Sequence, residues 1–152
     1  MKHILTVIQM LVLVGSVAAG EQDRYTVTFA PSDDGRVEVF SIPRSDVEKL
    51  PNWNQGVEEP PLSVGEALTA GRKWLKNLAD GSGQLPLVDV HIARKWSVGM
   101  SEVWFYHLLF STTPDRRSKA VKSRYVVVLM DGRVLDGDIM TEKEFEDLHL
   151  RR

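Results

Sequence analysis

Three residues carry the clearest chemical potential: Asp89, His91 and His107. Asp89 and His91 are two positions apart, so on a strand they share one face. Two imidazoles and a carboxylate within cross-strand reach make a donor set for zinc or copper. The same types also suit the polar face of a half-buried strand, where single histidines beside aromatics are ordinary. That plainer reading is adopted, and no metal ligand is assigned. A second group, Arg116, Arg117, Lys119, Lys122 and Arg124, crowds one polar segment. It would dock an acidic or phosphate-bearing surface, although such runs are more often solvated loop tips. Four tryptophans, Trp53, Trp74, Trp96 and Trp104, would stack on carbohydrate or peptide if they met on a surface. Trp74 and Trp104 fall instead on faces expected to be buried.

Signatures of catalysis are missing from the sequence. It holds no G-x-S-x-G, no H-E-x-x-H, no phosphate-cradling glycine loop and no dinucleotide fingerprint. The absence of cysteine excludes thiol catalysis, thiolate metal sites and disulfides. Glu58-Glu59 and Asp33-Asp34 are carboxylate pairs in loop-like sequence, with no partner that would split their pKa values. The chain is therefore expected to be no enzyme, with no catalytic residue, no cofactor and no metal.

The elements that would position these residues are readable from periodicity and caps. Val64, Ala67, Leu68, Gly71, Trp74, Leu75 and Leu78 form one stripe of a 3.6-residue period. Ser63 and Glu66 make an S-x-x-E capping box at its start, and Asp80-Gly81-Ser82-Gly83 is read as its stop. This predicts a main helix from Ser63 to about Ala79. Ahead of it, Tyr25–Ala30 and Arg36–Ile42 flank Pro31-Ser32-Asp33-Asp34-Gly35, a hairpin signal. Ser45-Asp46-Val47-Glu48 reads as a second capping box on a helix that Pro51 cuts to about a turn. The proline-rich stretch up to Pro61 reads as an ordered loop anchored by Trp53.

Strands follow the helix. Val88, Val90, Ile92 and Trp96 alternate with polar residues, whereas Val103–Phe110 and Tyr125–Met130 are apolar on both faces, as in strands covered on both sides. Asp131-Gly132 is a hairpin turn into Val134-Leu135. Thr141-Glu142-Lys143-Glu144 caps a short C-terminal helix to about Leu148, with Met140 and Phe145 as a hydrophobic staple. A turn near Ser97–Ser101 pairs Val90 with Leu108, Ile92 with Tyr106 and His91 with His107. That register puts Val88, Val90, Ile92, Trp104, Tyr106, Leu108 and Phe110 on the face that receives the helix. Val103, Phe105, Leu109, Tyr125, Val127 and Leu129 are left on the other face, too much apolar surface for water. Either the N-terminal hairpin, the Trp53 loop or the C-terminal helix covers it, or part of it is a dimer or partner surface. The first is the ordinary outcome for a single domain.

The order of helix, antiparallel strand pair, valine-rich strand and tight Asp-Gly turn resembles PepSY-like, cystatin-like α+β modules of exported bacterial proteins. The helix at Ser63–Ala79, the strand Val103–Phe110 and the run Tyr125–Leu135 carry the resemblance, about half the chain. The run departs from the family in lacking spacer residues between Asp131 and Gly132. The resemblance implies a role in binding or inhibition, often towards peptidases, with no catalytic residues.

Length, charge and the N-terminus bound the rest. Met1-Lys2-His3, an apolar run from Ile4 to Val14 and small residues from Ser16 to Gly20 read as a secretory signal peptide. Cleavage after Ala19 or Gly20 is expected, with a secreted or periplasmic product. Residues 21–62 (the hairpin and proline-rich loop) and 63–152 (the helix-plus-sheet core) then form one domain. The formal charge of −2 is too near neutral for nucleic acid or an anionic membrane as main partner. The expected fold is α+β: one main amphipathic helix on an antiparallel sheet of about four strands, with an N-terminal hairpin and a short C-terminal helix. The expected function is that of an exported, non-enzymatic binding or protein-interaction module for a protein, a peptide or a second copy of itself. The alternative is a small-ligand or metal-binding periplasmic domain using the space between helix and sheet.

Overall fold

A computed structural model of the chain describes residues 23–78, 82–96, 101–111 and 122–150. The signal-like segment, most of the turn near Ser97–Ser101 and most of the basic segment around Arg116 lie outside these residues. The architecture has three layers. A four-stranded antiparallel sheet lies in the middle, a helix covers one face, and a three-stranded antiparallel sheet covers the other. Numbered in chain order, the strands are β1 (Arg24–Pro31), β2 (Val37–Pro43), β3 (Leu87–Lys95), β4 (Val103–Ser111), β5 (Ser123–Leu129), β6 (Val134–Leu135) and β7 (Gly137–Met140). The central sheet has the order β3-β4-β5-β6, and the outer sheet β1-β2-β7. The helices are α1 (Arg44–Val47), α2 (Val64–Lys76) and α3 (Glu142–Leu150). Among the described residues, no helix is long and apolar enough to cross a membrane.

The start of α2 follows from its cap. The Ser63 hydroxyl accepts from the Glu66 amide at 3.3 Å, and the Glu66 carboxylate accepts from the Ser63 amide at 2.9 Å. Two of the amides a helix start leaves unpaired are thereby satisfied. Ala67, Gly71 and Leu75 are buried on the sheet, with Leu68, Trp74 and Leu78 partly buried beside them. Val64, placed on the stripe by periodicity, is 43% exposed, because the first turn overhangs the sheet. Gly71 marks the closest approach: a Cβ there would stand 2.8 Å from Leu108 Cδ1 and 3.4 Å from Val126 Cγ1. The helix stops at Lys76, earlier than the glycines suggested. Asn77 is the C-cap in right-handed conformation, its amide donating to the carbonyls of Trp74 and Leu75.

The β3–β4 register is the one expected from a turn near Ser97–Ser101, with Val90 opposite Leu108, Ile92 opposite Tyr106 and His91 opposite His107. One residue departs from it. The register shifts between Leu87 and Asp89, so Val88 leaves the helix-facing row and is 57% exposed. β4 and β5 fill both cores. Tyr106, Leu108, Phe110, Val126 and Val128 face α2, and Val103, Phe105, Val127 and Leu129 face the hairpin. The hairpin answers with Tyr25, Val27, Phe40 and Ile42, all buried. The second apolar face is therefore covered from within the chain. The proline-rich loop joins the α2 side: the Trp53 ring lies edge-on to Trp104 at 4.7 Å, and the Tyr106 hydroxyl donates to the Leu62 carbonyl at 2.7 Å.

Two further differences from the sequence reading lie at α1 and at the turn after β5. Ser45 does not cap α1; the N-cap is Pro43, without a side-chain bond. The nearby carboxylate of Asp46 instead accepts from Lys49 and Arg133, each at 2.9 Å. Asp131-Gly132 turns the chain, but only Gly132 has positive φ, at 86°. The Gly132 amide donates to Leu129 O and the Leu129 amide to Arg133 O, which makes a three-residue loop in place of the two-residue type. Beyond it, Gly137–Met140 is a strand that alternation did not reveal. It leaves the central sheet after Asp136 and pairs with β2, Val37 opposite Met140 and Phe40 opposite Gly137. α3 has the expected capping box, with Thr141 N to Glu144 Oε2 at 2.7 Å, and its Phe145 ring lies 4.8 Å from Phe29.

Candidate functional site

Layering leaves β3 as the exposed edge of the central sheet. It is nine residues long, pairs with β4 on one side, and has no buried residue. The other long edge, β1, buries four of its eight residues. The last edge of the central sheet, β6, has only two residues. A strand edge presents backbone amides and carbonyls that accept a further strand, which is why exposed edges are usually guarded. β3 has two such guards, the irregularity at Val88 and a set of charged side chains.

Side chains alternate along that edge. Val90 and Ile92 turn to the α2 side and are half-buried. Arg94 follows them; its guanidinium donates to Glu102 Oε1 at 3.1 Å and lies 5.3 Å from the centre of the Trp104 ring. Asp89, His91, Ala93 and Lys95 take the hairpin side. Trp96, just past the strand, is 63% exposed.

The structure brings together Asp89, His91 and His107, whose meeting the sequence left open. His91 Nδ1 is 3.3 Å from Asp89 Oδ2, the His91 and His107 rings are 5.1 Å apart and nearly perpendicular, and Tyr125 stacks on His107 at 5.0 Å. The arrangement is a row of rings, not a ligand cage. Among the described residues, no three His, Asp or Glu side chains are placed to hold a metal ion. The Nε2 of His107 is buried without a hydrogen-bond partner. Burial, and then the neighbouring His91, push its pKa below the ordinary 6.5, while Asp89 opposes them. The unfolded chain thus takes up this proton at higher pH than the folded one. The stability contributed is intact above the ordinary value and lost as pH falls below it. Melts from about pH 8 to about pH 5 should show a falling Tm, and His107→Phe should flatten that slope by removing the titrating group. Equal slopes in the two proteins would refute this.

Beside the edge, α2 presents Leu68, Thr69, Arg72, Lys73 and Lys76 around an open groove of about 380 Å³. Arg72 donates to the Leu85 carbonyl and lies 4.4 Å over the Phe110 ring, whose strand partner is Leu87. The space between helix and sheet is packed, with Leu75, Tyr106, Leu108 and Phe110 all fully buried. Trp74 is held within this layer by its Nε1 bond to Asp136 at 2.8 Å. Of the four tryptophans, Trp53 and Trp104 meet, and Trp96 stands on the surface. Lys122 and Arg124 are the described members of the basic group. Sequence reasoning identified the β3 alternation but not that β3 ends the sheet. The polar bounds of its residues (Asp89, His91, Arg94, Lys95) were the available signal. No protein-family model, no curated protein and no solved structure matches the chain.

Proposed function

We propose that this chain is a non-enzymatic protein-interaction module, exported by its N-terminal segment, that binds an extended segment of its partner along the β3 edge. The observation that carries the reading is the nine-residue outer strand without a buried residue, beside a core closed on both faces. A strand added there would gain main-chain hydrogen bonds, and Val90 and Ile92 would gain cover. The PepSY-like order of helix and strands points the same way. A photo-crosslinking residue in place of Trp96 tests the proposal, with the same residue at Val57, exposed in the proline-rich loop, as the control. An adduct formed from position 96 and not from 57 in the producing cell is expected. Equal adducts from both, or none from 96, would sink the proposal.

A further inference from the structure

The β3 edge is complementary to itself. We propose that the extended segment it binds is the β3 of a second copy, paired antiparallel about a two-fold axis at Ile92; this rests on the edge-binding reading above. An antiparallel pair of identical strands is fixed by one choice, the residue at the axis. Placing Ile92 there sets Asp89 opposite Lys95 of the other copy, and by symmetry Lys95 opposite its Asp89. Both residues are on the hairpin side of the strand, so the opposite charges face each other across the pair. Lys95 forms no ion pair among the described residues, and Asp89 reaches only His91.

The same register solves a second problem. Val88 and Trp96 are the two exposed large apolar residues of this edge. With the axis at Ile92 the Val88 of each copy comes beside the Trp96 of the other at an end of the paired segment, twice per dimer. On the α2 side, Ile92 meets its own copy and Val90 meets the stem of Arg94, extending the half-buried apolar row. Neighbouring registers fail on these residues. An axis at His91 sets Asp89 opposite Ala93 and Val88 opposite Arg94. An axis at Ala93 sets His91 opposite Lys95. An axis at Val90 pairs Asp89 with His91 but places the irregular stretch at Val88 inside the ladder. The axis at Ile92 keeps the regular residues Asp89–Lys95 at the centre and leaves Val88 at its ends.

The geometry is compatible with α2. A two-fold perpendicular to the sheet keeps both helices on one face of an eight-stranded sheet. Gly71 sits over Leu108 and Val126, between β4 and β5. The two α2 helices would therefore be roughly 20 Å apart at ordinary strand spacing. That is well beyond the roughly 8–10 Å of packed helices, so the two helices do not collide across the pair.

The test uses sedimentation equilibrium on the full chain as its producing cell delivers it. The wild-type protein should be a dimer. Asp89→Lys and Lys95→Asp each turn two attractive pairs into repulsive ones and should weaken the dimer about tenfold or more. The double variant Asp89→Lys/Lys95→Asp restores opposite charges and should return the dissociation constant to within a few-fold of wild type. Circular dichroism melts serve as the check that each variant folds; rescue by the double variant cannot come from a misfolded chain. A wild-type monomer at every concentration overturns the proposal, as does a dimer that the single variants leave intact or the double variant does not restore. A monomer that crosslinks from position 96 to a different protein overturns self-pairing and leaves edge binding standing. A monomer with no adduct from 96 removes both.

Discussion

Replacing Gly71 with leucine is expected to cost about 3 kcal/mol or more, a large share of the stability of a domain this size. Glycine inside a helix costs about 1 kcal/mol relative to alanine, so propensity alone favours leucine here. Packing opposes it. The first carbon of a side chain would already stand 2.8 Å from Leu108 Cδ1, and Leu108 is fully buried with nowhere to retreat. A leucine must push α2 off the sheet and open the contacts of Leu75 and Ala67. Gly65, in the first turn of the same helix, has no atom within 4 Å of its virtual Cβ. Gly65→Ala should therefore raise stability by about 0.5–1 kcal/mol. Urea unfolding of the two variants checks the pair; destabilisation of similar size in both would show that close packing is not why Gly71 is glycine.

The second large effect lies on the opposite face. Phe40 is fully buried between the sheets, among Val103, Phe105, Val127 and Leu129. Phe40→Ala should cost about 3–5 kcal/mol, from lost transfer free energy and the cavity left behind. Both neighbouring layers are strands, which cannot easily collapse into the gap without breaking ladders. Phe29 is on the same hairpin but half-exposed, touching Phe145 of α3. Phe29→Ala should cost much less, about 1 kcal/mol. Equal effects in a denaturant titration would mean that the hairpin does not depend on the central sheet for its stability.

Much of this architecture was legible because its signals are local. The stripe from Val64 to Leu78 and the Ser63–Glu66 box defined α2, and a turn placed near Ser97–Ser101 gave the pairing of Val90 with Leu108. The double-sided hydrophobicity of Val103–Phe110 required two covering layers, and the structure supplies them. What escaped was set by tertiary contacts. Nothing local in Gly137-Asp138-Ile139-Met140 announces a strand; these residues become one because β2 has a free edge beside them. Ser45 does not cap α1, and Asp46 beside it is held by Arg133, which comes from a turn far along the chain. The exposure of Val88 needs a shift in β3 that no periodicity encodes. For the candidate site, register set His91 opposite His107 and on the face of Asp89, but the side-chain contacts themselves were not readable from it. That β3 is an edge depends on which strands lie beside it, and a single strand's composition does not state its neighbours.

The passage of the chain from β6 into β7 also bears on the order in which the molecule can assemble. β2 lacks its second neighbour until residues 137–140 are available, and Val37 pairs with Met140 across most of the sequence. The outer sheet therefore cannot be completed before residues 137–140 have been made. The β4–β5 pair can form earlier, but until then its hairpin-facing residues have incomplete cover. Such distant pairing slows folding, since a long loop must close before the contacts that reward it are made. Closing the outer sheet by β7 is therefore expected to be a late step of folding, taken onto a hairpin that came first in the chain.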